Sequence, residues 1–165
     1  MRTVWGSEFA NQKLNKTFSL WASQKLFGHF RGFGLCSTMG VFEDEELIAV
    51  MVYHNYDRKS GVIEISGAAS NKEWLKRHVL REMFSVPFDN MGCQMVVMRV
   101  SPNDKALGRM LTAYGFSSYV IPRLRGRNED EVIFTLTDTV WMNNKFNRRI
   151  GSVSDEHANA LTKAA

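Results

Sequence analysis

The sequence predicts one α/β domain built on a mixed, mostly antiparallel sheet, flanked by helices and containing one parallel strand pair. Three observations predict it. Residues 38–66 read as three short β-rich runs joined by tight turns, an antiparallel meander. Residues 74–86 then shift to a helical period and lead to MVVMRV at 95–100, an apolar run typical of a strand buried on both faces. A helix crossing over to such a strand implies a parallel pairing inside the sheet. Finally, the strand at 95–100 feeds Ser-Pro-Asn-Asp and an amphipathic helix closed by Gly115-Phe116. A strand tip that runs into a helix is where cofactors bind in many α/β folds.

Each element has its own justification. Leu14, Phe18 and Trp21 recur at helical spacing, Ala22 and Leu26 extend the stripe, and Gly28 is a natural stop. A weak first strand is expected at residues 3–5, and the Gly-rich stretch that ends at Gly34 has room for a second helix. Residues 38–43 form a short strand. The acidic turn EDEE leads to LIAVMVY at 47–53, and the turn at 57–61 leads to VIEIS at 62–66. Leu75, Val79 and Met83 lie four apart, with Leu80 and Phe84 beside them, and Pro87 ends or kinks that helix. Leu107, Met110, Leu111 and Tyr114 keep the helical rule, with Gly115 as the helix-ending residue. Strands at 117–121 and 132–136 close the domain, and 138–146 is expected to be a short terminal helix. The expected organisation is one domain over residues 1–146, followed by a polar, flexible tail over 147–165.

Composition sets the outer bounds. At 165 residues, 44% hydrophobic and 23% charged, the chain suits a single globular domain. A net charge of +4 suits a polyanionic small ligand and permits nucleic acid without requiring it. Cys36 and Cys93 provide no disulfide framework, and four scattered histidines provide no zinc spacing. The N-terminus lacks the charged start and apolar core of a signal peptide, and no run approaches the ~20 apolar residues of a membrane span. The expectation is a cytoplasmic protein without metal or membrane partner, whose oligomeric state is open.

The element order from residue 39 to 136, with the unit CQMVVMRVSPNDKALGRMLTAYGF at 93–116, resembles the GCN5-related N-acetyltransferases. Small basic members of that family also occur in phages and mobile elements. The resemblance implies a parallel strand pair that splays, acetyl-CoA as co-substrate, and acetyl transfer to a primary amine by direct attack. It places the thioester against the backbone of Ile65, Ser66 and Gly67, and the pyrophosphate against Lys72, Lys76 and Arg77. Leu75 and Arg77 stand where the family has small residues, so the three cations would hold phosphate through their side chains. Asn103 would touch the cofactor arm. Counting back from Gly115 places that role on Asp104 instead, and Ser101 or Asn103 can equally be a helix cap. The family's leaving-group tyrosine falls on Leu111.

Glu64 is the candidate base. A carboxylate between Ile63 and Ile65 is costly unless its face opens onto a cleft or a partner, and the family often has a glutamate base on this strand. The alternative is a Glu64 that faces solvent or pairs with an arginine. Tyr53 and His54 are substitutes by type for the acid. Arg123, Arg125 and Arg127 could receive an acidic or phosphate-bearing substrate, or could pair with Glu129, Asp130 and Glu131. The rival reading is a catalytically reduced binding module of the same fold, directed at nucleic acid or an acidic protein. A transferase acting on a nucleic-acid base or a tRNA-linked amine combines the two.

Overall fold

The computed structural model describes residues 1–147; the tail expected over 147–165 therefore lies outside the described residues, apart from Asn147. The elements run β1 (Arg2–Ser7), α1 (Gln12–Phe27), β2 (Cys36–Glu43), β3 (Glu46–Asp57), β4 (Val62–Ala69) and α2 (Arg77–Ser85). A single π-helical turn (Val86–Asn90) follows, then β5 (Met95–Val100), α3 (Lys105–Tyr114), β6 (Ser117–Gly126), β7 (Glu129–Thr137) and α4 (Asp138–Met142). The seven strands form one sheet in the order β1-β2-β3-β4-β5-β7-β6. Only β4 and β5 pair in parallel.

Strand alternation divides the core into two layers. Val50 and Val52 of β3 pack under α1 with Phe18 and Ala22. Met51 and Tyr53 face the other way, toward Val79, Met83 and Phe84 of α2. The helix α1 lies close on the sheet because Gly40 is bare: a Cβ there would stand 2.6 Å from the Phe18 ring. Gly6 does the same, since its Cβ would meet the Asn15 backbone at 2.8 Å. Asn15 is buried and satisfied; it donates to the Cys36 carbonyl and accepts from Thr38.

Several boundaries differ from the sequence reading. The stretch after Gly28 forms no helix and reaches β2 as an open loop. The second long helix starts at Arg77 rather than Trp74. Trp74 and Leu75 stay in the preceding loop, which turns tightly through Leu75 N–H to Lys72 C=O and Lys76 N–H to Trp74 C=O. Trp74 is buried there, so its apolar signal is one of anchoring. Pro87 sits inside the π-helical turn, and the terminal helix stops at Met142. The segment 122–126, expected as a hairpin end, continues β6. Its pairing with β7 breaks between Ile121 and Gly126, where Arg123 has a left-handed φ of 61°. Every residue of β6 is exposed, Tyr119 and Val120 by more than half (56% and 60%).

Candidate functional site

The parallel pair holds for three residues only. Residues 62–64 of β4 pair with 95–97 of β5, and no pairing follows. Beyond Glu64, β4 stays on β3 as far as Ala69, opposite Ala49. The strands therefore splay, and the β5-facing backbone edge of Ile65, Ser66, Gly67 and Ala68 opens into a cleft. The cleft has a volume of ≈ 1550 Å³ and takes in Met98, Arg99 and Val100 on the β5 side. Unpaired strand N–H groups at such a break are donors suited to a polarised carbonyl oxygen.

Alternation sorts the side chains around the opening. His54 and Glu64 are register partners across β3 and β4, so they share the face that carries α1. The Glu64 side chain is 16% exposed; Asn55 Nδ2 donates to its Oε2 at 2.9 Å, and His54 Nε2 lies 3.9 Å from Oε1. The same His54 nitrogen lies 2.9 Å from Ser66 Oγ. Burial pushes the His54 pKa below its ordinary value, against the smaller upward pull of Glu64. The imidazole is therefore neutral at neutral pH.

Tyr53, its neighbour on β3, points through the opposite face. Its hydroxyl donates to the Met83 carbonyl at 2.9 Å and the side chain is buried in the core, outside the cleft lining. Burial, helped by Glu82, holds the phenol protonated well above its usual range. The structure thus separates Tyr53 from Glu64 and His54, with which the sequence reading had grouped it.

Of the expected phosphate-binding cations, Lys72 lines the cleft. Lys76 does not; it pairs with Glu73 at 3.3 Å on the surface. Arg77 is turned toward the segment after α4 and donates to the carbonyls of Phe146 and Lys145 at 2.9 and 3.1 Å. Asn103 is exposed and lies off the cleft, whereas Asp104 lines it and caps α3, accepting from Leu107 N–H at 3.0 Å. The count back from Gly115 thus picked the residue that the fold places there. Leu111 and Tyr114 both line the cleft. Tyr114 stacks on Phe84 and Phe146, its hydroxyl has no hydrogen-bond partner among the described residues, and burial raises its pKa to about 12.

The three arginines divide. Arg125 lines the cleft and is committed: Nη1 meets Glu131 Oε1 at 2.8 Å and Nε meets Glu129 at 3.2 Å. Arg123 offers its backbone N–H to Asp130, and neither Arg123 nor Arg127 lines the cleft. The paired reading thus holds for the side chain of Arg125; Arg123 and Arg127 make no ion pair among the described residues. The sequence reading missed Arg99, which holds the other oxygen of Glu131 at 2.8 Å. Its signal was available: like Glu64, Arg99 is a charge inside an apolar strand, whereas Glu131 ends the acidic run at 129–131. Phe27, Arg31 and Phe33, from the Gly-rich loop and the end of α1, also line the cleft. Among the described residues no cluster of His, Cys, Asp or Glu could hold a metal, and no helix is long and apolar enough to cross a membrane.

No protein-family model and no curated protein matches the sequence. Solved structures do match. The spermidine/spermine N-acetyltransferase of Vibrio cholerae superposes with a TM-score of 0.59 at 12% identity, over 66% of this chain and 67% of that one. A dodecameric form described as spermidine N-acetyltransferase, also from V. cholerae, gives 0.56 at 12% identity, over 66% and 68%. A provisionally assigned acetyltransferase gives 0.58 at 13% identity; there the match spans 66% of this chain and only 62% of the other. At such identities the likeness speaks for architecture, and it coincides with the seven-stranded sheet and its splayed parallel pair. The chain has the fold of the GCN5-related N-acetyltransferases.

Proposed function

We propose that the protein transfers an acetyl group from acetyl-CoA to a primary amine by direct attack. The observation that carries this reading is the splay beyond Glu64: it opens a cleft through the sheet, with a half-buried carboxylate on one face and Lys72 along the same opening. The unpaired edge of Ile65, Ser66 and Gly67 would receive the thioester carbonyl. Lys72 and the segment leading into α2 would hold the phosphates. Leu75 and Arg77, at the family's small-residue positions, leave this work to side chains.

The acceptor approaches from the α1 face. Glu64 takes the ammonium proton, directly or through water, with Asn55 and neutral His54 fixing its orientation. The amine nitrogen bonds to the carbonyl carbon, the carbon–sulfur bond breaks, and the thiolate leaves. The nitrogen sheds its second proton as the amide forms, and the departing thiolate takes that proton up through water; Tyr114, whose hydroxyl is buried and whose pKa is raised to about 12, is no donor for it.

The binding-module reading draws its support from the bulky residues at positions 75 and 77. Arg125 lends it nothing, being spent on Glu129 and Glu131; Arg123 and Arg127 keep exposed charge, but off the cleft. Calorimetric titration with acetyl-CoA, alongside an acetylation assay over a panel of amines, tests the proposal. Glu64→Gln should bind acetyl-CoA like the wild type and lose activity about 10²- to 10⁴-fold. Absence of acetyl-CoA binding by the folded protein would overturn the proposal in favour of the binding module.

A further inference from the structure

The acceptor side of the cleft has an uneven charge pattern. Its lining carboxylates are Glu64, Asp104, Glu129 and Glu131. Arg99 and Arg125 neutralise Glu131, Arg125 and Ser101 hold Glu129, and Asp104 gives one oxygen to the α3 cap. Glu64, at the splay itself, has no lysine or arginine at salt-bridge distance among the described residues, and its His54 neighbour is neutral. A carboxylate in that position can receive one ammonium. A second cationic group laid along Phe33, Phe27 and Arg31 would find no carboxylate among those lining residues.

From Glu64 an aromatic wall leads outward. Phe33 packs on His54 with ring centroids 5.2 Å apart, and Phe27 packs on Phe33 at 5.9 Å. The Arg31 guanidinium closes the row, 5.1 Å over the Phe27 ring, and makes no ion pair among the described residues. An acceptor whose amine reaches Glu64 thus lays its body along two phenyl rings and ends under a fixed positive charge. Flat apolar groups gain from such a wall. A cationic far end is repelled by Arg31, while a neutral or anionic one is tolerated or attracted.

We infer that the acceptor is a mono-amine with a flat apolar or aromatic body and a neutral or anionic far end, and that Arg31 excludes polyamines. The inference rests on the acetyl-transfer reading for the reaction but not for the binding site. It also separates this chain from the spermidine-acetylating proteins that share its fold.

The test compares phenethylamine, 4-(2-aminoethyl)benzoate and spermidine as acceptors and, by calorimetry in the presence of coenzyme A, as ligands. The wild type should favour the two aryl amines over spermidine by about tenfold or more. Arg31→Glu should shrink or reverse that ratio, with the largest loss on the benzoate; Arg31→Gln should fall between. Phe33→Ala should weaken both aryl amines and leave spermidine little changed. A wild type that prefers spermidine, an unchanged ratio in Arg31→Glu, or failure of all three amines to bind while acetyl-CoA does, each overturns the inference. Aryl-amine binding with the Arg31-dependent ratio but without acetyl transfer would uphold the acceptor site and refute the transferase reading.

Discussion

Glu131 is the sharpest place to test the packing around the cleft. Its side chain is 2% exposed, with Arg99 on one oxygen and Arg125 on the other, both at 2.8 Å. Arg99 adds a second bond from Nε at 3.2 Å. Three charge-assisted bonds from the two strands that flank β7 thus converge on one buried carboxylate. Breaking a buried pair costs roughly 3–5 kcal/mol when the partner is stranded away from water. Here the stranded partners are not sealed in: the Arg99 and Arg125 side chains are 44% and 35% exposed and can recover solvent. That relief lowers the expected loss for Glu131→Gln to about 2–3 kcal/mol. The Gln amide makes matters worse on one side, because its NH₂ faces a guanidinium that can only donate. Urea unfolding of the wild type, Glu131→Gln, Arg99→Ala and the double variant closes a thermodynamic cycle. A coupling energy of about 1 kcal/mol or more is expected. If Glu131→Gln shifts stability by less than about 0.5 kcal/mol, the value of an ordinary surface substitution, water reaches the carboxylate and the reasoning fails.

Two further expectations concern α1 and the cleft histidine. Gly40→Ala places a methyl group 2.6 Å from the Phe18 ring, and the resulting shift of α1 should cost about 1–3 kcal/mol in chemical denaturation; Phe18→Leu in the same chain should recover part of it, and an unchanged midpoint in the single variant would contradict the close approach. The folded pKa of His54 lies below the unfolded value of about 6.5, so the unfolded chain takes up its proton first. Stability should therefore be full above about pH 6.5 and fall as pH drops below it; His54→Gln should flatten that slope between about pH 7.5 and 5.5, and an identical pH profile in both proteins would show that His54 titrates freely in the fold.

What the sequence disclosed follows from how local each signal is. The β-branched run at 47–53 and the turns around it carry the meander in their own residues, and a carboxylate flanked by Ile63 and Ile65 announces an unusual environment. Adjacent strand residues face opposite ways, so Tyr53 and His54 could never both serve one site. The choice between them needed the register that sets His54 opposite Glu64. The Arg99–Glu131 pair spans 32 residues and forms only because β7 inserts between β5 and β6. A reading along the chain placed Glu131 with its sequence neighbours Arg123, Arg125 and Arg127 and found half of its partners. Arg77 was a fair phosphate ligand by charge and position. The closing segment of the domain, which captures it with two carbonyls, is about 70 residues away. The aromatic wall had no sequence signal, since Phe27 falls off the apolar stripe of α1 and Phe33 sits in a Gly-rich stretch without period.

The full exposure of β6 has a consequence for how the molecule behaves in concentrated solution. A ten-residue border strand bearing Tyr119, Val120 and Ile121 invites edge-to-edge stacking of one molecule on another. Two features blunt it. Pro122 removes a backbone donor midway along the strand, and the left-handed kink at Arg123, pinned by Asp130, throws the remainder out of line. The exposed charges of Arg123 and Arg127 add repulsion where a stacking neighbour would have to put its own. Straightening this border by replacing Pro122 and Arg123 with β-branched residues should increase the tendency of the molecules to stack edge to edge.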